Sequence, residues 1–388
     1  MSAKPAIFLD ANAGAPLRRE VAEALTALLS DPQSGLPNPS SSHAWGRRAR
    51  RLLSEARERV AQSLGVQDPE GVIFTSSGTE ANHLAVRGVL EQAPAGSRWA
   101  VSAIEHDSFE KLQAWAVKRG IAVDVVPVDS QGRVSSSALR SCLHPETVLF
   151  SLNWVNNETG VVQDLGPLRS EMLAFAKEHK TRPPLFQVDG AQAWGKLPMN
   201  LEALGVDLAC FSGHKIGALA GCAVLWRKAG VELAPIFPGK QEGGLRGGTE
   251  NLLGIYALGV AAQSLDPAAY EKSLKPLREH LEKGILERLP GAQINGSQTE
   301  RVANTVNVSF EGAPFESGAL IQSLDREGFA VSAGSACSSG VSRASPILKA
   351  MGLSEDLARR TLRISLPQGT RRENLDALMD SLGRILAR

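Results

Sequence analysis

Hydrophobic positions in the first two-thirds of the chain follow two alternating patterns. Apolar residues recur at helical spacing in Val21, Ala24, Leu25, Leu28 and Leu29, and again in Leu52, Leu53, Ala56 and Val60. Short apolar runs, mostly continuous as in strands buried on both faces, occupy residues 72–75, 99–103, 121–128, 148–152, 185–188, 208–212 and 222–226. This alternation predicts an α/β fold, with a mostly parallel sheet covered by helices.

The pattern changes near Leu265-Asp266-Pro267. An amphipathic helix is predicted over residues 275–289, where Pro276 is acceptable only in the first turn. Strands over 305–310, 329–332 and 361–366 and helices near 317–327 and from about Arg372 follow, which predicts a smaller α+β unit. We therefore expect a large domain of residues 16–265 and a small domain formed by residues 1–15 and 266–388.

Composition excludes several classes of protein. The 388 residues are 43% hydrophobic and 21% charged, typical of a globular protein with a substantial core. The 42 Lys and Arg residues nearly balance 41 Asp and Glu residues, so no charge-driven nucleic-acid partner is expected. Cysteines at 142, 210, 222 and 337 form no CxxC pair, and the histidines do not cluster at metal-ligand spacing, so neither a disulfide framework nor a metal site is predicted.

The sequence also bears on location. The N-terminus reaches Asp10 before an apolar stretch of signal-peptide length develops. The longest largely apolar runs, residues 216–226 and 251–265, are shorter than the roughly 18 residues that span a bilayer. We expect a cytoplasmic protein without a membrane partner.

Two segments indicate where a ligand binds. Residues 74–82 run from a strand into Gly78 and Thr79 and then a helix, whose first N–H groups can bind phosphate. The alternative is a helix capped by Ser77 or Thr79 without a ligand. Asp189 ends a buried strand, at the sheet edge where α/β proteins bind ligands, although it could equally cap the next helix.

Lys215 follows the next strand, in Ser212-Gly213-His214-Lys215. A buried lysine has a lowered pKa, and its neutral amine attacks carbonyl groups. Together with Asp189, it suggests a Schiff base with pyridoxal phosphate, whose protonated ring nitrogen needs a carboxylate partner. A solvated loop lysine is the alternative.

The chain resembles the cysteine desulfurases, class V aminotransferase-type enzymes that use pyridoxal phosphate and have the fold called type I. The motifs that carry the resemblance extend through nearly the whole chain: 38–47, 75–82, Glu105-His106, 155–160, Val188-Asp189 with Gln192, 212–215, 246–251, 334–337 and 362–366. The segments 9–16 and 218–221 depart from the family pattern, which leaves partner contacts and substrate selectivity open.

The resemblance implies a role for each matching residue. Lys215 would hold the cofactor, Asp189 would pair with its ring nitrogen, Gln192 would bind its phenolic oxygen, and His106 would stack on the ring. The phosphate would be bound by Gly78, Thr79, Ser212 and His214, and by Thr249 of a neighbouring subunit in a homodimer with shared sites. Asn157 and Arg363 would bind the substrate, with Arg363 forming a fork on its carboxylate.

Cys337 decides the type of reaction. It lies in a run of small residues, and in the family this thiolate takes sulfur from L-cysteine as a persulfide and leaves alanine. The sulfur would pass to an acceptor or an iron–sulfur scaffold protein, or to thiolation. The alternatives are another class V enzyme, such as an aminotransferase or a selenocysteine lyase, and a non-catalytic binding scaffold of the same fold.

Overall fold

The computed structural model describes residues 7–32, 36–333 and 344–387. The strands are β1 (Ile7–Phe8), β2 (Val72–Thr75), β3 (Arg98–Ser102), β4 (Ala122–Val126), β5 (Thr147–Asn153), β6 (Leu185–Asp189), β7 (Leu208–Ser212), β8 (Ala223–Arg227), β9 (Ala292–Ile294), β10 (Thr305–Phe310), β11 (Phe329–Ala330) and β12 (Thr361–Ser365). The helices are α1 (Arg19–Ser30), α2 (Ala44–Leu64), α3 (Gly78–Leu90), α4 (Ser108–Lys118), α5 (Ser136–Ser141), α6 (Leu165–His179), α7 (Leu252–Gln263), α8 (Pro267–Arg288), α9 (Ser317–Arg326), α10 (Pro346–Ala350), α11 (Glu355–Arg359) and α12 (Arg372–Leu386). No helix in this described part of the chain has both the length and the apolar composition that crossing a bilayer requires.

A seven-stranded sheet forms the larger part of the molecule, in the order β2-β8-β7-β6-β5-β3-β4. The pairs from β7 through β6, β5 and β3 to β4 are parallel, whereas β8 is antiparallel to both of its neighbours. Each of the seven apolar runs in the first part of the sequence is one of these strands. The predicted α/β fold with a mostly parallel sheet is therefore confirmed.

Helices cover both faces of this sheet. Phe150 and Phe186 face a core that includes α1, α2, α6 and α7, whereas Trp99 and Leu149 face a second core with α3 and α4. Successive strand residues point to opposite faces, so both sides must be apolar when both are covered. This is the physical reason for the continuous apolar runs.

A second, three-stranded antiparallel sheet has the order β12-β10-β9 and packs with α8, α9 and α12 around a separate core. The N-terminal segment joins it, because β1 pairs in parallel with β11 and Leu9 belongs to the same core. These contacts support the proposed division into residues 16–265 and the remainder, which stays a prediction.

The expectation for Pro276 is wrong. Helix α8 begins at Pro267 rather than near residue 275, so Pro276 lies inside the helix. Asp266 sets the earlier start, because its carboxylate accepts the Ala269 N–H at 2.9 Å and proline suits the first helical position. Buried contacts of the helix, such as those of Leu281 and Ile285, offset the hydrogen bond that Pro276 lacks.

Candidate active site

A cleft of about 530 Å³ opens at the carboxyl ends of the parallel strands β5, β6 and β7. Its volume is within the range of small-molecule sites, roughly 300–1,000 Å³. The residues predicted from the sequence that line it are Gly78, Thr79, His106, Asn157, Asp189, Gln192, Ser212, His214, Lys215 and Arg363. Because parallel strands end at one edge of the sheet, segments far apart in sequence meet there.

Two predicted residues are not in this group. Thr249 is exposed and does not line the cleft. Cys337 lies outside the described residues. The roles assigned to both stay predictions.

Asp189 is the last residue of β6 and is buried. Asn82, from the first turns of α3, donates to its Oδ2 at 2.8 Å, and the Ala191 N–H donates to its Oδ1 at 3.0 Å. Donors on both oxygens hold the carboxyl group in one orientation. Asp189 can therefore present its carboxyl group to a ligand atom at a fixed position.

The start of α3 provides donors for an anion. Ser77 caps this helix by accepting the Glu80 N–H, so Gly78 and Thr79 lie in the first turn, where backbone N–H groups have no partner within the helix. A Cβ on Gly78 would lie 3.4 Å from the Ser212 Cβ, so the helix start is packed directly against the end of β7. The helix is capped by Ser77 and its first turn lines the cleft, and the binding of phosphate there stays a prediction.

His214 completes this donor group. Its Nδ1 lies 2.9 Å from Ser212 Oγ. Burial first, and then the charge of Lys215, lower the pKa of His214 to about 4. The imidazole is neutral at physiological pH, so it can offer one N–H and one acceptor nitrogen but no charge.

Lys215 ends the short turn after β7, with Nζ donating to the carbonyl oxygens of Asn12 at 2.7 Å and Ala13 at 2.9 Å. Burial, above all, and the positive charge of Arg363 lower its pKa to about 8. A neutral amine is thus accessible near physiological pH. The alternative of a freely solvated loop lysine does not fit this geometry.

His106 follows β3 and lines the cleft. Its Nδ1 accepts the Ser108 N–H at 3.1 Å, so the neutral ring carries its proton on Nε2. The ring orientation is therefore held by the start of α4.

Arg363, in β12, reaches the cleft from the second sheet. It donates from Nη2 to Asp10 at 2.7 Å and from Nη1 to the Asn157 carbonyl at 3.1 Å. The Asn157 Oδ1 atom is buried without a hydrogen-bond partner among the described residues, which marks a place for a ligand donor. Sequence reasoning did not assign a role to Asp10, which fixes the guanidinium plane.

Asn12 was noted in the sequence only as a departure from the family pattern. It is 2% exposed and contacts both sheets: its Nδ2 donates to Thr305 at 2.9 Å, and its carbonyl accepts from Gln192 at 2.9 Å. Its Oδ1 accepts the Nζ of Lys196 at 2.9 Å. The sequence signal was too weak to find this residue, because its partners are distant in the chain.

Two buried glutamates also adjoin the site. Burial raises the pKa of Glu105 to about 8 and that of Glu158 to about 7. Glu158 accepts the Ser345 hydroxyl at 2.6 Å, which ties the start of α10 to the cleft wall. Their motifs were recognised in the sequence, but their protonation depends on a burial that only the fold shows.

Three cysteines are described. Cys210 and Cys222 are buried, and burial raises the pKa of each thiol, whereas Cys142 ends α5. Cys210 and Cys222 therefore belong to the core, and Cys142 lies at a helix end.

Comparison with known proteins gives an independent result. The family model described as Aminotransferase class-V matches residues 7–378. A protein named cysteine desulfurase from Gluconacetobacter diazotrophicus is 36% identical over 387 residues, covering 99% of this chain and 94% of the relative. Another, named cysteine desulfurase 2, from Trichormus variabilis is 35% identical over 384 residues, covering 98% of this chain and 93% of the relative.

Solved structures agree. A NifS-like protein from Rickettsia africae superposes with a TM-score of 0.85 at 29% identity, covering 99% of this chain and 100% of the other. The structure described as SspA in complex with cysteine gives a TM-score of 0.79 at 30% identity, covering 93% of this chain and 98% of the other. Together with the cleft geometry, these matches show that the chain belongs to the class-V aminotransferase family and, within it, to the cysteine desulfurases.

Proposed function

We propose that this protein is a pyridoxal-phosphate-dependent enzyme that converts L-cysteine to L-alanine and passes the sulfur to Cys337 as a persulfide. The observation that carries the proposal is the single cleft into which Lys215, Asp189 and Arg363 project. An amine, a carboxylate and a guanidinium in one cavity suit a cofactor aldehyde, a ring nitrogen and a substrate carboxylate, respectively.

The described donor and acceptor groups fit pyridoxal phosphate. The first turn of α3, with Gly78 and Thr79, and the side chains of Ser212 and His214 would hold the phosphate. Asp189 would pair with the ring nitrogen, and Gln192 would bind the phenolic oxygen. When bound, the cofactor supplies an electron sink for the negative charge left on the substrate when a proton is removed from its α-carbon.

Lys215 has two tasks in this proposal. As a neutral amine, which a pKa of about 8 makes accessible near neutral pH, Lys215 would hold the cofactor through its aldehyde group. Its Nζ, lying at the same cleft wall, would also accept the α-proton of L-cysteine. The carbonyls of Asn12 and Ala13 hold Nζ at the cleft wall during both tasks.

Arg363 and Asn157 would bind the substrate. Asp10 and the Asn157 carbonyl hold the guanidinium in one plane, so it can meet the substrate carboxylate without further ordering. The unpartnered Asn157 Oδ1 can accept a donor from the bound ligands.

The sulfur step belongs to Cys337. Its thiolate attacks the substrate sulfur, an S–S bond forms and the Cβ–S bond breaks, with the electron pair staying on the carbon skeleton. Protonation of that skeleton gives alanine. The resemblance to the cysteine desulfurases assigns this role to Cys337. The relatives named cysteine desulfurase support the reaction.

The proposal extends to partners and location. We expect a cytoplasmic homodimer in which Thr249 of one subunit contacts the phosphate in the other. The persulfide would pass to a sulfur acceptor or an iron–sulfur scaffold protein.

One experiment tests the central claim. Purified protein with pyridoxal phosphate is given L-cysteine, alanine is quantified, and the persulfide is located by mass spectrometry. Cys337→Ser is expected to keep cofactor absorbance and lose the persulfide, and Lys215→Ala to lose covalent cofactor. Undiminished alanine release by Cys337→Ser would exclude sulfur transfer to this residue, and a protein that takes up no cofactor would favour the scaffold alternative.

A further inference from the structure

Lys196 is a buried lysine to which the proposed function assigns no role. It is 8% exposed and lies in the turn after β6, four residues beyond Gln192. Its Nζ donates to Gln192 Oε1 at 2.6 Å and to Asn12 Oδ1 at 2.9 Å. No carboxylate of the described residues forms an ion pair with it.

Such a position is unfavourable for a lysine. Burial, reinforced by the positive charges of Lys215 and Arg363, lowers its pKa well below the ordinary value. A buried lysine without an acidic partner is destabilising compared with an apolar side chain of similar size. Lys196 therefore does not stabilise the fold through an ion pair. Its contribution is the two hydrogen bonds to Gln192 and Asn12.

Those bonds determine which way the Gln192 amide faces. A carboxamide can turn by 180°, exchanging its oxygen and its NH₂ group, with little change in shape. The Nζ of Lys196 donates to the amide oxygen at 2.6 Å, which holds that oxygen on the side away from the Asn12 carbonyl, a group that can only accept. The NH₂ group then faces the Asn12 carbonyl at 2.9 Å, and its second hydrogen remains available to the cleft that Gln192 lines.

Asn12 couples this arrangement to the reactive amine. Its Oδ1 accepts from Lys196, while its backbone carbonyl accepts from both Gln192 and Lys215. A second donor to Oδ1, the Asn304 Nδ2 at 3.0 Å, holds the asparagine when Lys196 is changed. The Gln192 oxygen has only Lys196 as its donor among the described residues.

We propose that Lys196 is a positioning residue that fixes the amide of Gln192 with its second N–H toward the cleft, where it meets the phenolic oxygen of the cofactor. The inference rests on the proposed function, since it requires pyridoxal phosphate in this cleft. It assigns Lys196 no contact with the reacting atoms.

The test is spectroscopic. Lys196→Met removes the donor and fills a similar volume, and the absorbance of the bound cofactor is titrated with pH alongside the wild type. An N–H donor stabilises the deprotonated phenolic oxygen, so a Gln192 amide that is held by the Asn12 carbonyl alone should raise the titration midpoint by about one unit. Lys196→Gln, whose shorter side chain keeps a donor, should shift it less.

Gln192→Leu completes a double-mutant cycle. If Lys196 acts through Gln192, Lys196→Met should produce no further shift in the Gln192→Leu background. Arg278→Met, which removes another buried basic side chain far along the sequence in α8, is the matched control and should leave the titration unchanged.

The outcomes separate the two hypotheses. Wild-type protein that binds no cofactor would overturn the proposed function. Wild-type protein that binds it, with an unshifted midpoint in folded Lys196→Met, would overturn the positioning role alone. Equal shifts in the presence and absence of Gln192 would also overturn it.

Discussion

Burial governs the protonation of the side chains around the cleft at the scale of single residues. It lowers the pKa of Lys215 to about 8 and raises that of Glu105 to about 8, because a low-dielectric environment disfavours either charge. Each residue is consequently closer to its neutral form than an exposed counterpart at pH 7. Both consequences can be measured.

For Lys215 we expect a pH-dependent reaction with the cofactor. Only the neutral amine attacks the aldehyde, so the rate of covalent attachment to apoprotein should rise about tenfold per pH unit well below the pKa and level off above it. Borohydride trapping at pH values from 6 to 9 measures the rate. A rate that still rises tenfold per pH unit at pH 9, with no levelling off, would contradict a lowered pKa for this amine.

For Glu105 we expect an effect on stability. Its Oε1 accepts the Ser102 hydroxyl at 2.6 Å and the Asn153 N–H at 2.7 Å, whereas Oε2 is buried and unpartnered among the described residues. The pKa of Glu105 is about 4.5 in the unfolded chain and about 8 in the folded protein. Between these pH values the folded state retains a proton that the unfolded state has released, so folding becomes less favourable as the pH rises.

Glu105→Gln has no such titration. The free energy of unfolding of the variant should exceed that of the wild type by almost nothing at pH 4.5. The difference should increase as the pH rises to 8, with an upper limit of a few kcal/mol. Urea unfolding at several pH values measures this difference. A gain that shrinks with rising pH would mean that Glu105 is ionised in the folded protein.

Close helix packing decides the architecture at the scale of elements. Helices α2 and α7 cross on one face of the large sheet, where Gly259 faces Ala56. A Cβ on Gly259 would lie 2.7 Å from the Ala56 Cα, too close for the present spacing of the helices. The absence of a side chain at Gly259 thus permits the approach.

Gly259→Ala should destabilise the protein by about 1–3 kcal/mol, because overpacking exceeds the gain in helix propensity. Gly383 in α12 is the matched control, since its added Cβ would have ordinary contact with Leu289 at 3.9 Å. Gly383→Ala should stabilise by about 0.5–1 kcal/mol. The midpoints of urea unfolding are measured for both variants. If both midpoints shift in the same direction, this account of the helix pair is contradicted.

The N-terminal segment connects the parts of the whole molecule. Asp10 pairs with Arg363 on the second sheet, and the next residues reach Lys215 beside the first. Thr249, in contrast, is exposed and apart from the cleft of its own chain. This position supports the proposal that it acts in a neighbouring subunit.

Mixed dimers test shared sites. Lys215→Ala and Thr249→Ala subunits, each weak or inactive alone at limiting cofactor, are co-expressed. One of the two sites in a mixed dimer would then combine Lys215 of one chain with Thr249 of the other, and alanine formation should exceed that of both parents. Activity equal to the average of the two parent proteins would indicate unshared sites.

The sequence alone determined the class of fold and the set of residues around the cleft. Continuous apolar runs predicted all seven strands of the large sheet because burial on both faces favours apolar residues at successive strand positions. Motif residues such as Asp189 and Lys215 could be recognised because each lies in a short segment at the end of a strand. The residue pattern of such a segment is visible in the sequence itself. Pro276 was misplaced because the tertiary contacts of α8 outweigh a local helix-breaking preference.

Only the tertiary structure decided how those residues are supported. Lys196 contacts Asn12 and Arg363 contacts Asp10 across long stretches of sequence, and no local pattern encodes such contacts. The same is true of protonation: the neutral state of His214 and the lowered pKa of Lys215 arise from burial, which exists only once the two sheets and their helices have packed. The sequence thus identifies the chemical groups, and packing determines their protonation state and orientation.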